Sequence, residues 1–379
     1  MQENNPNSTA SQQQNPTPSG KSIGFPCRNC GHLMRFSPAC GKLRCDYCES
    51  ESDIDSQQVE APEYLYYPDD DRYDAPDWED MESRTFSCPA CGADIMTDAE
   101  DMTSTCPFCG SHYVAELAPS QKIIQPETLM PFRITQEDAV LRFRNWVKKR
   151  WLAPAKFRKT RHTITPSGIY IPFWTFDASL TTSYTGYGGR RRVERYTVRV
   201  NGKTQVRTRT VTDWYPIHGN RHLDFDNIPC AASSRIDRKL LQKTGPYSLK
   251  ILNVYNPAYL AGFFSERYSI GLRDGFQQVR IQMEARMENH ILHSCGYDTY
   301  RGMSYRHHYD QVRFKHILLP LWLSSYSYRK KVYQLMINGE TGQVAGKAPL
   351  SPLKIALLAA LGILASTLFI LFVMWVASL

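Results

Sequence analysis

The sequence lacks the motifs that mark the common nucleotide-binding and hydrolytic enzymes. Gly20-Lys21-Ser22 and Gly202-Lys203-Thr204 both lack the upstream glycine of a Walker phosphate loop. No Gly-x-Gly-x-x-Gly follows a predicted strand, and neither His-Glu-x-x-His nor Gly-x-Ser-x-Gly is present. These absences argue against a helicase, a dinucleotide-dependent oxidoreductase, a zinc protease or a serine hydrolase. We predict that the protein is not an enzyme.

The start of the chain has little apolar content and no signal-peptide pattern. Met1 to Gly20 consists mainly of Asn, Gln, Ser, Thr and Pro. Such a segment cannot bury enough apolar surface to offset the entropy of ordering it. We predict a disordered tail over residues 1–22.

The charges are unevenly distributed. Glu49 to Glu82 contains fourteen acids and one base, whereas Arg133 to Lys250 contains twenty-four bases and eight acids. This contrast predicts an acidic linker over 51–84 before a basic domain over 120–348. Such a linker is usually a solvated spacer, but its charge also allows it to fold back over the basic surface.

A long apolar run lies near the end of the chain. Ile355 to Ala377 has no charged residue and, as a helix, would span roughly 34 Å, enough for a bilayer core. We predict a transmembrane helix over 353–377; a buried soluble helix is the alternative. Bases such as Lys347 and Lys354 precede the run, so the positive-inside rule predicts a tail-anchored protein of the inner (cytoplasmic) membrane with its N-terminus in the cytoplasm.

The cysteine pattern predicts two zinc ribbons, over 23–50 and 85–115. Each has two Cys-x-x-Cys pairs separated by fourteen residues, a spacing that lets four thiolates surround one tetrahedral ion. Four thiolates leave no open coordination position, so both sites are expected to be structural. The predicted ligands of the two zinc ions are Cys27, Cys30, Cys45 and Cys48 in the first ribbon, and Cys88, Cys91, Cys106 and Cys109 in the second.

Glycine follows most of these pairs, at a position that commonly needs a positive φ. Gly31, Gly92 and Gly110 occupy it, but Glu49 follows the fourth ligand of the first ribbon, which makes that turn the least regular. An iron–sulfur cluster or a redox dithiol is the alternative to zinc.

The remaining thiols and histidines give weaker signals. Cys40 lies inside the first ribbon, where it can compete as a ligand but is better explained as a spare buried thiol; Cys230 is also expected to be buried. His290, His293 and Cys295 lie close in sequence, as do His307 and His308. We interpret them as structural or surface residues; a nucleophile or a metal site, and with it an enzyme, is the alternative.

The middle of the chain predicts a mixed β-rich domain with helices. A helix begins at Thr135, with Val140, Phe143, Val147 and Trp151 at helical spacing. The region 257–291 is predicted to be mainly helical, and its Phe276, Val279, Met283, Met287 and Ile291 form one core stripe. Strands are predicted over 168–180, 316–328 and 332–337, with a short strand near Val344. Together with the ribbons and the terminal span, these elements make the fold α+β.

A long β-hairpin is predicted over 193–200 and 205–215, turning at Asn201-Gly202. Its arms alternate Val or Thr with Arg. The predicted ligands are anionic lipid headgroups, an acidic protein or nucleic acid phosphates, and a solvated face is the alternative. The patch consists of Arg190, Arg191, Arg192, Arg195, Arg199, Arg207 and Arg209.

Several segments resemble a bacterial family of membrane-anchored double zinc-ribbon proteins. They include FPCRNCGHLMRF (25–36), SCPACGADI (87–95), NPAYLAGFFSERY (256–268) and VYQLMINGETGQVAG (332–346). Members are labelled zinc-ribbon proteins of the transcription-factor-IIB type, or primosomal protein N′ (replication factor Y)/superfamily II helicase. The helicase label finds no support here without a phosphate loop. The resemblance implies partners of the phage-shock (PspA) type or flotillin-like (SPFH) type, and a role in envelope stress or membrane organisation.

These features together predict a non-enzymatic, tail-anchored scaffold that recruits proteins to the membrane through its ribbons. The acidic linker is expected to give the ribbons reach. The main alternative is a membrane-associated nucleic-acid-binding protein that uses the ribbons and the arginine-rich hairpin.

Overall fold

The computed structural model describes residues 25–70, 72–74, 85–96, 103–109, 111–114, 116–117, 124–159, 165–200, 203–250, 252–328 and 331–377. The tail predicted over 1–22 lies outside these residues. The described helices are α1 Gln136–Lys148, α2 Ala155–Lys159, α3 Arg238–Gln242, α4 Leu272–Cys295 and α5 Pro352–Ala377. The described strands are β1 Met34–Ser37, β2 Lys42–Cys45, β3 Glu51–Ser52, β4 Gln58–Val59, β5 Tyr64–Tyr67, β6 Arg72–Tyr73, β7 Thr85–Ser87, β8 Asp94–Met96, β9 Thr103–Thr105, β10 His112–Val114, β11 Glu116–Leu117, β12 Thr128–Leu129, β13 Ser167–Val200, β14 Lys203–Ala231, β15 Leu252–Val254, β16 Phe264–Glu266, β17 Thr299–Tyr328, β18 Lys331–Asn338 and β19 Val344–Gly346.

Three long antiparallel strands, here called the frame, run through the molecule. β13 pairs with β14 along one edge and with β17 along the other. Val200 pairs with Lys203, which leaves the two-residue connection predicted for this hairpin. The arms are much longer than predicted, because the hairpin continues into the core instead of ending near Tyr215. The α+β class is confirmed, with helices packed on a large mixed sheet.

Helix α4 covers one face of the frame. The stripe predicted from its spacing is buried against aromatic residues of β13 and β17, so both of its methionines fill the core as expected. The indole of Trp174 is held there, because its Nε1–H donates to the carbonyl oxygen of Ile270 at 2.8 Å. The prediction for 257–291 was only partly correct, since a 3-10 turn at Pro257–Leu260 and strand β16 precede the helix.

Helix α1 begins as predicted. The Thr135 side chain accepts a hydrogen bond from the amide of Asp138, which caps the first turn. The predicted stripe was wrong at its end, because the helix stops at Lys148 and Trp151 is 56% exposed beyond it. Trp146 is buried in its place.

The segment predicted as an acidic linker is not a free spacer where the structure describes it. β4 pairs with β15, and β5 pairs with β17 of the frame. Glu63 forms ion pairs with Lys315 at 2.9 Å and Arg313 at 3.3 Å. The acidic segment therefore folds back over the basic domain, the second of the two interpretations that its charge allowed. Residues 75–84 of this segment lie outside the described residues.

Both ribbons pack on the α+β domain, although each groups its own four cysteines as predicted. Phe36 of the first ribbon packs on Tyr259, with ring centroids 5.1 Å apart, and its amide donates to the carbonyl of Ala261. In the second ribbon, β8 pairs with β16, and buried Ile95 joins the domain core. The ribbons are thus extensions of one folded body.

Helix α5 differs from the others because its side chains are largely exposed. Residues 352–376 have a mean hydropathy of 2.6, and none of the most apolar stretch is buried inside the protein. Its 26 residues extend about 39 Å. The helix is therefore long and apolar enough to cross a membrane, in agreement with the predicted span.

We predict that Gly275→Ala destabilises the fold, whereas a side chain added elsewhere in the same helix does not. A Cβ at Gly275 would lie 2.8 Å from Trp174 Cδ1, and that indole is fully buried and hydrogen-bonded. Overpacking of this kind costs about 1–3 kcal/mol. Gly271, the N-cap of α4, has open space around it, so Gly271→Ser serves as the control. Thermal unfolding of both variants in detergent tests the prediction; equal melting temperatures would contradict it.

Candidate metal centres and basic arm

Tight turns bring the cysteines of each ribbon together. In the first ribbon the amide of Gly31 donates to the Cys27 carbonyl at 2.8 Å, and the amide of Glu49 donates to Cys45 at 3.0 Å. Gly31 has a φ of 76° and Glu49 a φ of 60°. Glu49 therefore occupies the left-handed conformation that glycine would adopt more easily. This agrees with the prediction that the turn at Glu49 is the least regular of the four.

The sulfur atoms form two compact groups of four. All ligand atoms in each group lie within 4.8 Å of one another. The Cys27–Cys48 and Cys30–Cys45 Sγ separations are both 3.5 Å; in the second group Cys88–Cys109 is 3.8 Å and Cys91–Cys106 is 3.7 Å. A tetrahedral zinc ion with bonds of about 2.3 Å places its sulfur ligands about 3.8 Å apart. Both groups can therefore hold a metal ion, and the eight predicted ligands come together as the spacing indicated.

A serine two residues beyond the last cysteine completes each site. The Ser50 hydroxyl lies 2.9 Å from Cys27 Sγ and 3.0 Å from Cys48 Sγ. Ser111 lies 3.0 Å from Cys109 Sγ. Hydroxyl donors to thiolates stabilise their charge and orient them around a metal. The sequence prediction missed these serines, although the repeated Cys-x-Ser, at 48–50 and 109–111, was a visible signal.

The thiols within each site have different surroundings, so some of their pKa values are lowered and others are raised. The hydroxyl and amide of Ser50 lower the pKa of Cys48 to about 5, since hydrogen bonds to a thiolate favour the charged form. Burial raises the pKa of Cys106 in the second site. A buried thiolate needs a compensating positive charge, and a metal ion supplies it.

The first ribbon exposes the turns that carry its cysteines. Cys30 is exposed, together with Leu33 at 45% and Tyr47 at 79%. The rings of His32 and Tyr47 lie 6.2 Å apart, so aromatic and aliphatic groups cluster over this site. We call His32, Leu33 and Tyr47 the knuckle face.

The second ribbon buries the equivalent turn. Phe108 is 2% exposed, and its carbonyl accepts hydrogen bonds from Ser325 Oγ at 2.6 Å and Gln334 Nε2 at 3.3 Å. In the other turn, the Gly92 carbonyl accepts from Arg235 Nη2 at 3.2 Å. The second site is thus fastened to the frame and to the segment after β14.

The other thiols have different positions. Cys40 is exposed, 3.9 Å from the Ser37 carbonyl, so the prediction of a buried thiol there was wrong: the hairpin turn after β1 points into solvent. Cys230 is buried, as predicted, and Cys295 lies 3.5 Å from the Tyr184 hydroxyl.

The four other histidines singled out in the sequence lie outside both metal groups. His290 and His293 are exposed on α4, and His308 is exposed on β17. His307 contacts Thr182 Oγ1 through Nδ1, at 2.8 Å. Among the described residues, none of them joins a group able to hold a metal ion.

The predicted arginine patch lies on a projecting two-stranded ribbon. β17 begins at Thr299, which pairs with Gly189, so from residue 190 onward β13 pairs with β14 and, among the described strands, with no other. We call residues 190–200 and 203–213 the arm; together they carry eight bases and two acids. All seven predicted arginines are exposed.

The arginines do not form one surface, because side chains alternate along a strand. The register divides them between two faces, with Arg191, Arg195 and Arg199 on one, and Arg190, Arg192, Arg207 and Arg209 on the other. Asp213 pairs with Arg192 at 2.7 Å and Glu194 with Arg209 at 2.8 Å. The arm is therefore cationic all round, with part of its charge neutralised on the second face.

The arm and α5 lie at opposite ends of β13. Ser167, at the start of β13, pairs with Leu323. Leu323 is linked through β18 to β19, and five residues separate the end of β19 from the start of α5. β13 has 34 residues, about 110 Å of extended chain. The arm therefore reaches away from the apolar helix, which disfavours the lipid interpretation of the arginine patch.

Comparisons with known proteins place the chain in a family. No family model matches, and no solved structure matches. The chain is 30% identical over 336 residues to a Bacillus subtilis (strain 168) protein whose printed name is "Uncharacterized protein YdjG"; the match covers 88% of this chain and 92% of the relative. That name carries no function, so the resemblance to the double zinc-ribbon family stays a prediction. Identity at this level over nearly the whole of both chains shows that the protein belongs to the family of YdjG.

Proposed function

We propose that the protein is a non-enzymatic membrane adaptor that recruits a protein partner. In this proposal α5 anchors the chain in a bilayer, two structural zinc ions hold the ribbons in shape, and the knuckle face of the first ribbon binds the partner. The bases before α5 put the folded body in the cytoplasm by the positive-inside rule. Partners of the PspA or SPFH type, and a role in envelope stress, are what the family resemblance implies.

The contrast between the two ribbons carries this proposal. Two ribbons with the same ligand spacing present their turns in opposite ways: Phe108 is 2% exposed, whereas Tyr47 is 79% exposed. The buried turn of the second ribbon is accounted for by a structural role, because it attaches that ribbon to the domain. The exposed aromatic and aliphatic groups of the first have no comparable packing role, and protein-binding sites are enriched in such residues.

The rigid attachment of the first ribbon suits a docking role. Phe36 packs on Tyr259 at 5.1 Å, so the ribbon is held by aromatic contacts as well as by backbone hydrogen bonds. A binding surface held in its bound conformation loses less entropy when the partner associates. Anchoring in a membrane further raises the effective concentration of partners that are confined to the same surface.

Zinc is the metal we propose for both sites. Four thiolates in a tetrahedral arrangement are typical of structural zinc and leave no position for substrate or water. The sulfur separations of 3.5 to 3.8 Å suit that geometry. The adjacent serine hydroxyls offset part of the excess negative charge of four thiolates on a divalent ion.

We predict that the purified protein carries two zinc ions and that the two sites differ in their effect on stability. Cys45→Ser and Cys106→Ser should each reduce the zinc content to one. Cys106→Ser should destabilise the fold more, because Phe108 in the turn after Cys106 is buried and its carbonyl accepts hydrogen bonds from Ser325 and Gln334. Structural zinc contributes about 10–16 kcal/mol in isolated zinc-finger peptides. Elemental analysis and thermal unfolding measure both effects.

Cys40→Ser is the matched control, because Cys40 lies in the first ribbon but is exposed and outside the ligand group. It should retain both zinc ions and the melting temperature of the unmodified protein. Iron in place of zinc, with visible absorbance, would instead indicate the iron–sulfur alternative.

We predict that Leu33→Ser combined with Tyr47→Ala reduces partner recovery at least tenfold without loss of zinc. Truncation of a hot-spot residue costs about 2 kcal/mol or more. Quantitative co-purification from detergent-solubilised membranes is the measurement. Ile281→Ala is the control, because Ile281 is 69% exposed on α4, far along the chain from the ribbon. Equal recovery of every protein with both variants would rule out the knuckle face as the docking site.

Nucleic acid binding is a second candidate function, favoured by the arm. A two-stranded ribbon with both faces exposed can contact phosphates along its length, and a two-stranded ribbon fits the major groove of B-DNA. Arg195 and Arg199 share one face, and within the described residues no carboxylate forms a salt bridge with either.

We expect the nucleic-acid candidate to show binding that weakens steeply with salt. Each phosphate that the protein neutralises contributes a slope of about −0.9 in log K against log salt concentration for B-DNA. Changing four arginines of the arm together to Gln should make that slope less negative by up to about four. The four are Arg191, Arg195, Arg199 and Arg207. Fluorescence anisotropy of labelled DNA and RNA with the full chain in detergent provides the measurement. Absence of binding at low salt would eliminate this candidate.

A further inference from the structure

The start of α5 is fastened to the segment that follows α1. Lys354 Nζ donates to the carbonyl oxygens of Trp151 at 2.6 Å and Ala153 at 2.9 Å. One residue before α5, the Ser351 amide donates to the carbonyl of Leu152 at 3.0 Å. These hydrogen bonds hold residues 151–153, in the middle of the segment 148–159, against the first turn of the apolar helix.

This fastened segment is strongly basic. Residues 148–159 contain six bases and no acid. All six are exposed, and within the described part of the chain no carboxylate forms a salt bridge with any of them. We call these six residues the collar: Lys148, Lys149, Arg150, Lys156, Arg158 and Lys159.

The collar lies beside the start of α5, the end of the helix that would meet one surface of the membrane. Lys354 and Trp375 are 21 residues apart, about 32 Å along a helix, close to the thickness of a bilayer core. Tryptophan is enriched at the boundary between lipid and water, and Trp151, 56% exposed, lies beside Lys354. The collar is therefore at the depth of the lipid headgroups when α5 spans a bilayer.

We propose that the collar binds the phosphate groups of anionic lipids in the membrane that α5 crosses. This proposal rests on the membrane anchoring proposed above. Exposed bases near a bilayer attract acidic headgroups over about 8 Å at physiological salt. Arginine forms paired hydrogen bonds to phosphate, and lysine supplies a mobile positive charge. The arm, at the other end of β13, is too remote to share these lipids.

The test compares lipids retained by the full chain after reconstitution. The protein is placed in vesicles of equal parts phosphatidylcholine and phosphatidylglycerol, floated on a density gradient, and extracted in mild detergent. Native mass spectrometry then counts bound lipids of each class. We expect phosphatidylglycerol to be retained in several-fold excess over phosphatidylcholine, and this excess to disappear when Lys148, Lys149, Lys156 and Lys159 are all changed to Gln.

The matched control changes four exposed arginines of the arm to Gln: Arg191, Arg195, Arg199 and Arg207. It removes as many positive charges but should keep the phosphatidylglycerol excess. If the collar variant floats and keeps the same phosphatidylglycerol excess as the unmodified protein, the collar is overturned while the anchoring stands. Failure of the unmodified chain to float would overturn the anchoring and the collar together. Unchanged zinc content in both variants would show that both are folded, so that a loss of bound phosphatidylglycerol does not reflect unfolding.

Discussion

The pairing of β13 with both β14 and β17 is the constraint on which the remaining structure depends. One strand of 34 residues carries the helix-covered core, the contacts near the ribbons and the projecting arm. α4 packs on it, β16 extends it towards the second ribbon, and β17 connects it through β18 and β19 to α5. Because the second ribbon and the connection to α5 both join this sheet, their positions are coupled.

A buried ion network fastens the acidic segment to this frame. Lys315 is only 4% exposed, and its Nζ lies 2.9 Å from Glu63, 3.6 Å from Asp177 and 2.8 Å from Asn227 Oδ1. Burial raises the pKa of Asp177 to about 6, with Lys315 opposing that rise. A buried lysine requires such partners, because an unpaired charge there would be strongly destabilising. The acidic segment therefore neutralises a charge inside the fold as well as covering a basic surface.

Local signals in the sequence were sufficient for the features that depend on a few neighbouring residues. The Cys-x-x-Cys spacing predicted both metal groups, the Asn201-Gly202 pair predicted the hairpin, and Thr135 predicted the start of α1. Features that depend on distant partners were not accessible in this way. The docking of Phe36 on Tyr259 joins residues more than two hundred positions apart, and nothing near Phe36 indicates it. The length of the frame strands was missed for the same reason.

The difference between the ribbons also explains why ligand spacing alone cannot assign their roles. Both sites satisfy the same local rule, but Ser325 and Gln334 donate hydrogen bonds to the Phe108 carbonyl of the second ribbon, whereas Tyr47 of the first faces solvent. A zinc site whose second turn is buried against the domain supports the fold. A zinc site whose turns stay exposed can also present a surface, and Phe36 holds that surface at a fixed position on the same body as α5. In the proposed adaptor, the first ribbon is therefore a rigid docking element that is fixed to the domain and does not depend on a flexible linker.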